Sequence, residues 1–257
     1  MNNQTPDILY KYTSWSGDIS DPKTDILFKN IFWFSNPVDF NDPFDCMLPV
    51  LFDESYYRTR QFYNDWFKAM VKIGKENLTP QEIDMKVEEI LLKPNSIIFS
   101  TDIMTDSIRC IINSKTRISC FTSENNNLLM WSHYADCYRG VCLGFETTQI
   151  NDSYLVMLEE VKYSENFPKL KSLTNIPLLT TKSTYWKYEK EFRLINIGGY
   201  NKIEFDQTAL KEVIIGFKMD KAIKAALVEH LRNAVPQCII SQASPSERRF
   251  EIEIKVL

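Results

Sequence analysis

The sequence has 257 residues, with 34 acidic and 30 basic side chains that give a formal net charge of −4 at pH 7. Hydrophobic residues make up 44% and aromatic residues 13% of the chain, a composition typical of a folded globular protein and unlike that of a disordered one. No run of like charges appears, which argues against nucleic acid as a partner.

The N-terminal and cysteine patterns predict a cytoplasmic protein. The first residues lack a basic segment followed by an apolar core, and no apolar run is long enough to cross a bilayer, so no membrane partner is expected. The six cysteines form no C-x-x-C pair, and we expect them to be free thiols.

The first predicted elements in chain order are two short strands followed by helices. The strands lie at "DILYKYTS" and near residues 31–34, and the turn-rich loop "SNPVDFNDP" follows the second one. Apolar residues spaced three and four apart predict a helix within residues 54–75, and Thr79 with Glu82 forms the capping box of the next helix. A third helix is predicted over residues 102–113.

Strands dominate the remainder of the chain. The pattern predicts a strand at "TRISCFT", a short helix at "NNLLMWSHYAD" and a buried strand at "GVCLGFE". For the C-terminal part of the chain the pattern predicts a strand, a helix and two further strands, with Asp220 as the N-cap of the helix. We therefore predict one α+β domain over residues 1–257, with a mixed, mostly antiparallel sheet as its core and a helical insertion at about residues 54–113.

The segment "YWKYEKEFRL" places acidic and basic residues at alternate positions. On a strand, Glu189, Glu191 and Arg193 would share one face. That face is either solvated and ion-paired or part of a site. In a site flanked by Trp186 and Tyr188, two carboxylates would stabilise an oxocarbenium-like transition state, and the arginine would clamp a phosphate or hold the glutamates.

The segment "MWSHYA" concentrates Trp131, His133 and Tyr134, which we interpret as a binding wall. The alternative is a histidine that is packed and hydrogen-bonded for structural reasons. A metal site through His133, Cys137 and Cys142 lacks a fourth ligand at a recognisable spacing, so no metal site is predicted.

The loop "FSNPVDFNDPFD" follows a predicted strand and carries Asn41 and Asp42. Loops at strand ends often bear ligand-contacting residues, so these two are candidate substrate-binding residues; a structural turn is the alternative. The chain has seven glycines and no glycine-rich phosphate motif, which excludes P-loop, kinase and Rossmann chemistry.

Four segments together carry a resemblance to a known family. They are "LYKYTS", "IFWFSNPVDFNDPFD", "ISCFTSENNNLLMWSHYADCYRGVCLGFE" and "YWKYEKEFRLI", in that order, and the likeness runs from about residue 9 to the end. The sequence resembles an uncharacterised bacterial family, a domain of unknown function related to an abortive phage-resistance component of the AbiGi type. The resemblance implies a role in phage defence by abortive infection.

A second likeness is to ADP-ribosyltransferases, which carry functional residues on an early strand, a second strand and a late strand with the catalytic glutamate. Their arginine-modifying members have an E-x-E motif. The resemblance implies Glu191 as catalytic carboxylate, Glu189 as its partner, Tyr10 or Lys11 at the first-strand position and Ser35 at the second-strand position. The first strand reads "YKY" where histidine or arginine is expected.

Three functions follow as expectations. The first is an enzyme that takes NAD as its substrate, transfers ADP-ribose or hydrolyses NAD, and requires no cofactor. The second is a module that binds a nucleotide-like small molecule without turnover. The third is an antitoxin or immunity protein whose partner is encoded by a neighbouring gene.

Overall fold

The computed structural model describes residues 5–72, 74–92, 101–150, 156–174 and 176–257. The strands are β1 (Ile8–Thr13), β2 (Ile31–Trp33), β3 (Leu51–Phe52), β4 (Arg117–Thr122), β5 (Val141–Glu146), β6 (Val156–Glu160), β7 (Lys162–Ser164), β8 (Lys169–Leu170), β9 (Thr181–Ser183), β10 (Glu191–Asn196), β11 (Lys202–Glu204), β12 (Leu210–Ile215), β13 (Ile239–Pro245) and β14 (Ile252–Val256). The helices are α1 (Asp25–Phe28), α2 (Arg60–Lys72), α3 (Pro80–Leu92), α4 (Thr101–Lys115), α5 (Leu128–Tyr134), α6 (Thr147–Ile150), α7 (Ile176–Thr180) and α8 (Lys221–Ala234).

The main sheet has eight strands in the order β14-β13-β12-β5-β1-β4-β10-β6. Only β12 and β13 pair in parallel; the other neighbours in this sheet are antiparallel. The α+β prediction with a mixed, mostly antiparallel sheet is therefore confirmed. Among the described residues, no helix is both long and apolar enough to span a membrane.

The main core lies on one face of this sheet. Alternate residues of the strands bury their side chains there, including Leu9, Phe121, Phe145 and Leu194, and helix α8 packs Leu227 and other apolar residues against them. Because side chains alternate along a strand, the intervening residues of β1, β4 and β10 face the opposite side. The polar residues described below come mainly from that opposite side.

The three helices α2, α3 and α4 lie between β3 and β4. Residues 73 and 93–100 of the predicted insertion are outside the described residues. Helix α3 begins with the predicted capping box, in which the Thr79 backbone N–H donates to Glu82 Oε2 at 2.7 Å and the Glu82 N–H donates to Thr79 Oγ1 at 3.3 Å. Whether the whole chain is one domain with this insertion stays a prediction.

The strand predicted across "YWKYEKEFRL" is wrong in its first half. A 3₁₀-helix occupies Thr184–Glu189, capped by the Ser183 hydroxyl, and Lys190 adopts a left-handed conformation with φ of 42°. Strand β10 begins only at Glu191. The left-handed residue turns the chain between the two glutamates, so Glu189 reaches the site from a helix end and not by strand alternation.

Candidate functional site

A cavity of about 430 Å³ lies over strands β1, β4 and β10 and beside helix α5. Its volume is within the range of small-ligand sites, roughly 300 to 1,000 Å³. It brings together seven residues that the sequence singled out: Tyr10, Lys11, Asn41, His133, Tyr134, Glu189 and Glu191. Eight further lining residues were not predicted: Tyr12, Asp39, Phe40, Asp45, Cys120, Phe121, Met130 and Lys182.

Below the cavity, three neighbouring strands align residues from distant parts of the sequence. Thr122 of β4 is the register partner of both Tyr10 on β1 and Glu191 on β10. Two residues further along β10, on the same face, Arg193 pairs in register with Cys120. The sheet thus aligns the backbone positions of Tyr10, Thr122 and Glu191, although they are far apart in the sequence.

Arg193 lies beneath the cavity and holds two carboxylates. Its guanidinium donates to both oxygens of Asp45 at 2.8 Å, and to Glu191 at 2.8 and 3.0 Å. It is completely buried, and Glu191 is 3% exposed. The interpretation of this face as solvated is therefore wrong. A buried charge is tolerated only when paired, and this arginine fork satisfies both acids in bidentate geometry.

Lys182, from β9, joins the same cluster. Its ammonium lies 2.5 Å from Glu189, 3.1 Å from Glu191 and 3.5 Å from Asp45. Burial alone would lower the pKa of Lys182, but the three carboxylates outweigh burial and raise it above its ordinary value. Lys182 therefore stays protonated and screens the repulsion between the two glutamates.

The two glutamates differ in how strongly they hold a proton. Burial tends to raise the pKa of Glu191, but Arg193 and Lys182 outweigh burial and bring it to about 2. Burial and the charge of Glu191 raise the pKa of Glu189, although Lys182 and the Tyr134 hydroxyl oppose this. Neighbouring carboxylates with separated pKa values are suited to different roles, one as a fixed charge and the other as a proton carrier.

The depressed pKa of Glu191 predicts a pH dependence of stability. In the unfolded chain its pKa returns to about 4.5, so its ionised form stabilises the fold above pH 4.5 and this contribution disappears as the pH falls towards 2. The contribution is at most about 3 kcal/mol at 1.36 kcal/mol per pKa unit. Urea unfolding at pH 6, 4.5 and 3 should show the advantage of the wild type over Glu191→Gln shrinking with acidity. An advantage that is constant or grows on acidification would contradict the assignment.

Helix α5 supplies another wall of the cavity, through Met130, His133 and Tyr134. The Tyr134 hydroxyl donates to Glu189 Oε1 at 2.6 Å, and His133 Nδ1 lies 3.2 Å from the Tyr188 hydroxyl. Asn127 fixes this helix in place: its Oδ1 caps the first turn, and its Nδ2 donates to the Tyr188 carbonyl at 2.8 Å. One side chain thus ties α5 to the 3₁₀-helix that presents Glu189.

We expect Asn127→Ala to lower the free energy of unfolding by about 1 to 2 kcal/mol, because it removes the cap and the bond to Tyr188 together. Urea denaturation monitored by tryptophan fluorescence measures this. The exposed neighbour Asn126 supplies the matched control, and Asn126→Ala should change stability by less than about 0.5 kcal/mol. Equal effects of the two substitutions would show that Asn127 does not anchor the helix.

Lys11 provides a second cation at the cavity wall. Its ammonium donates to Ser119 Oγ and to the Cys120 carbonyl, each at 3.0 Å, and lies over the Phe121 ring. Burial lowers its pKa, and the charge of Glu191 opposes that effect. Lys11 therefore adds a second buried amine beside the strands that carry the cavity.

Four predicted site residues do not line this cavity. Arg193 lies beneath it, and Trp131 is fully buried, with its indole N–H donating to the Asn125 carbonyl. Ser35 forms an isolated backbone bridge with Ile118 next to β4, outside the main sheet. Asp42 lines a neighbouring cavity.

Sequence reasoning missed Lys182 and Asp45, the two residues that complete the carboxylate cluster. Lys182 stands in "TKSTYWKYE", which has no motif that marks a lysine. Asp45 is the last residue of the "FNDPFD" segment. That segment was identified as a candidate site, but Asp45 was not among its predicted ligand-binding residues. It is 148 positions from the arginine that it binds, a pairing that only the fold reveals.

Comparison with known proteins gives one match. A family described as a protein of unknown function (DUF2971) matches residues 130–194. The matched segment begins in α5 and ends in β10, so it contains one wall of the cavity, Lys182 and both glutamates. No curated protein and no solved structure matches the chain.

Proposed function

We propose that this chain acts on NAD, cleaving the bond between nicotinamide and ribose and transferring ADP-ribose to an acceptor or to water. The observation that carries the proposal is the placement of Tyr10 and Glu191 in the wall of one cavity, on the two strands that flank Thr122 of β4. The resemblance to ADP-ribosyltransferases requires an early strand, a second strand and a late strand with a glutamate. Thr122 fills the second-strand position better than Ser35, because β4 and not β2 is the neighbour of β1.

In the proposed reaction the C1′–N bond breaks and nicotinamide leaves as a neutral molecule with the bonding electron pair. The ribose becomes oxocarbenium-like, and the fixed charge of Glu191 stabilises it in a site where water is excluded. The nucleophile then forms a bond to C1′ and loses a proton to Glu189, whose raised pKa suits it to accept one. Aromatic side chains of Tyr10 and Phe40 in the cavity wall would pack against the nicotinamide and ribose.

The likeness to AbiGi-type proteins leads us to place this reaction in abortive phage defence. Transfer of ADP-ribose to a host target, or depletion of NAD, would halt the infected cell. Expression of the wild type, but not of a Glu191 variant, should then arrest growth of a bacterial host.

The direct test is release of nicotinamide from NAD by the purified protein, measured by chromatography with and without added acceptor proteins. Release above the uncatalysed rate supports the proposal. Its absence from the wild type with every acceptor tried contradicts it.

A second candidate is a module that binds a nucleotide-like ligand without turnover. One observation favours this candidate: both carboxylate oxygens of Glu191 already accept hydrogen bonds from Arg193 or Lys182. A carboxylate that is paired in this way is suited to a structural role. In this case NAD or another nucleotide should raise the melting temperature while remaining chemically intact. Nicotinamide release together with thermal stabilisation favours the enzyme; stabilisation alone favours the module.

A further inference from the structure

A second cavity, of about 180 Å³, adjoins the first. Asp45 and Lys182 line both cavities and form the partition between them. The outer walls of the second cavity come from the loop after β2, from residues 164–167 and from β9. The second cavity is therefore in direct contact with the carboxylate cluster of the first.

Asp42 is the unusual residue of this cavity. It is 5% exposed, and its Oδ1 accepts a hydrogen bond from the Phe44 backbone N–H at 2.9 Å. Its Oδ2 is buried and accepts no hydrogen bond from any described residue. A buried carboxylate oxygen without a donor is rare and costly, so a donor supplied from the cavity would relieve that cost.

Two of the other charged residues around the cavity are paired, and the third, Glu165, is an exposed carboxylate. Asp45 is held in bidentate fashion by Arg193, and Lys182 is shared with the two glutamates of the first cavity. Asp42 forms no ion pair within the described part of the chain. The cavity therefore has an unmatched negative charge and favours a cation.

Two exposed aromatic rings indicate what kind of cation. Phe44 and Phe167 both line the cavity, are 57% and 41% exposed, and have ring centroids 6.1 Å apart. Aromatic faces attract ammonium and guanidinium groups, and they also pack against the alkyl chain that carries such a group. A small inorganic ion has no alkyl chain to pack against the two rings.

We propose that the second cavity binds a small organic cation, a guanidinium or primary ammonium group at the end of an alkyl chain. Asp42 supplies the charge and Phe44 and Phe167 hold the chain. The cation is either a free amine or guanidine metabolite, or an arginine or lysine side chain of a peptide. The site is independent of NAD, so it can be tested even if no nicotinamide is released.

The test is titration calorimetry of butylguanidinium, with butylurea as its neutral isostere. Wild-type protein should bind butylguanidinium at least tenfold more tightly than butylurea. Asp42→Asn keeps the acceptor for the Phe44 N–H and should weaken binding at least tenfold. Phe167→Ala, which removes only an exposed ring, should also weaken it. The exposed Asp84 on α3 supplies the matched control, and Asp84→Asn should bind like the wild type.

Two results would overturn the site: no binding of butylguanidinium to the wild type, or equal binding by the wild type and Asp42→Asn. A peptide with a single arginine distinguishes the sources of the cation. Tighter binding of the peptide than of butylguanidinium assigns the site to a protein side chain, and weaker binding assigns it to a free metabolite.

Discussion

Glu191→Gln is expected to slow nicotinamide release by about 100-fold or more, in line with the loss of one pre-organised electrostatic group in an active site. The amide keeps the size of the side chain and one oxygen acceptor for Arg193, but it removes the charge that stabilises an oxocarbenium-like centre. Binding of NAD should weaken much less than the rate, because the aromatic walls are unchanged. Single-turnover kinetics and NAD titration measure the two effects separately.

The control for this variant is Glu204→Gln, which changes an exposed glutamate on β11. It should release nicotinamide at the wild-type rate. Circular dichroism must show that Glu191→Gln is folded at the assay temperature. Unchanged release by folded Glu191→Gln would remove the glutamate from the proposed reaction.

Arg193→Met is expected to lower the free energy of unfolding by about 3 to 5 kcal/mol, the usual cost of removing one partner of a buried ion pair. Methionine is similar in size, yet it leaves Asp45 and Glu191 buried without the guanidinium, with Lys182 as the remaining described cation within 4 Å of both. Arg193→Lys keeps the charge but loses the planar fork that binds both acids, so its effect should be intermediate. Equilibrium urea denaturation at pH 7 measures both variants.

The matched control is Arg139→Met. Arg139 pairs with Asp136 at the surface, and its side chain is 53% exposed. Surface ion pairs contribute about 0 to 1 kcal/mol, so this variant should unfold almost as the wild type does. Similar losses for the two methionine variants would contradict the role of Arg193 as the buried anchor of the cluster.

Local sequence signals predicted much of the fold. The capping box at Thr79 and Glu82 and the helix cap at Asp220 depend on residues a few positions apart, and both are present in the structure. The strand at "GVCLGFE" is buried as its apolar run predicted. These signals sufficed because the physics that they report is local.

The site was harder to predict, because its parts meet only through the sheet. Alternation suggested that Glu189 and Glu191 share a strand face, but Lys190 is left-handed and Glu189 lies at a helix end. That conformation is uncommon for lysine, and nothing in the local sequence announces it. Glu189 instead meets its partner Lys182 through a buried contact.

The second-strand position was assigned to Ser35 for a related reason. Strand β2 is the second strand of the chain, so the resemblance placed Ser35, which follows it, at the second-strand position. In the sheet, β1 lies between β5 and β4, and β4 comes after the three helices α2, α3 and α4. The order of the strands in the sequence does not determine which of them pairs with β1.

We propose that the cavity over β1, β4 and β10 holds NAD with its nicotinamide ribose at Glu191. A crystal structure of the Glu191→Gln variant grown with NAD tests this most directly, because slow turnover should leave the ligand intact. We expect ordered NAD with the ribose C1′ within contact distance of position 191 and of Glu189, between Tyr10 and Tyr134. NAD bound elsewhere on the protein, with this cavity free of ligand, would contradict it.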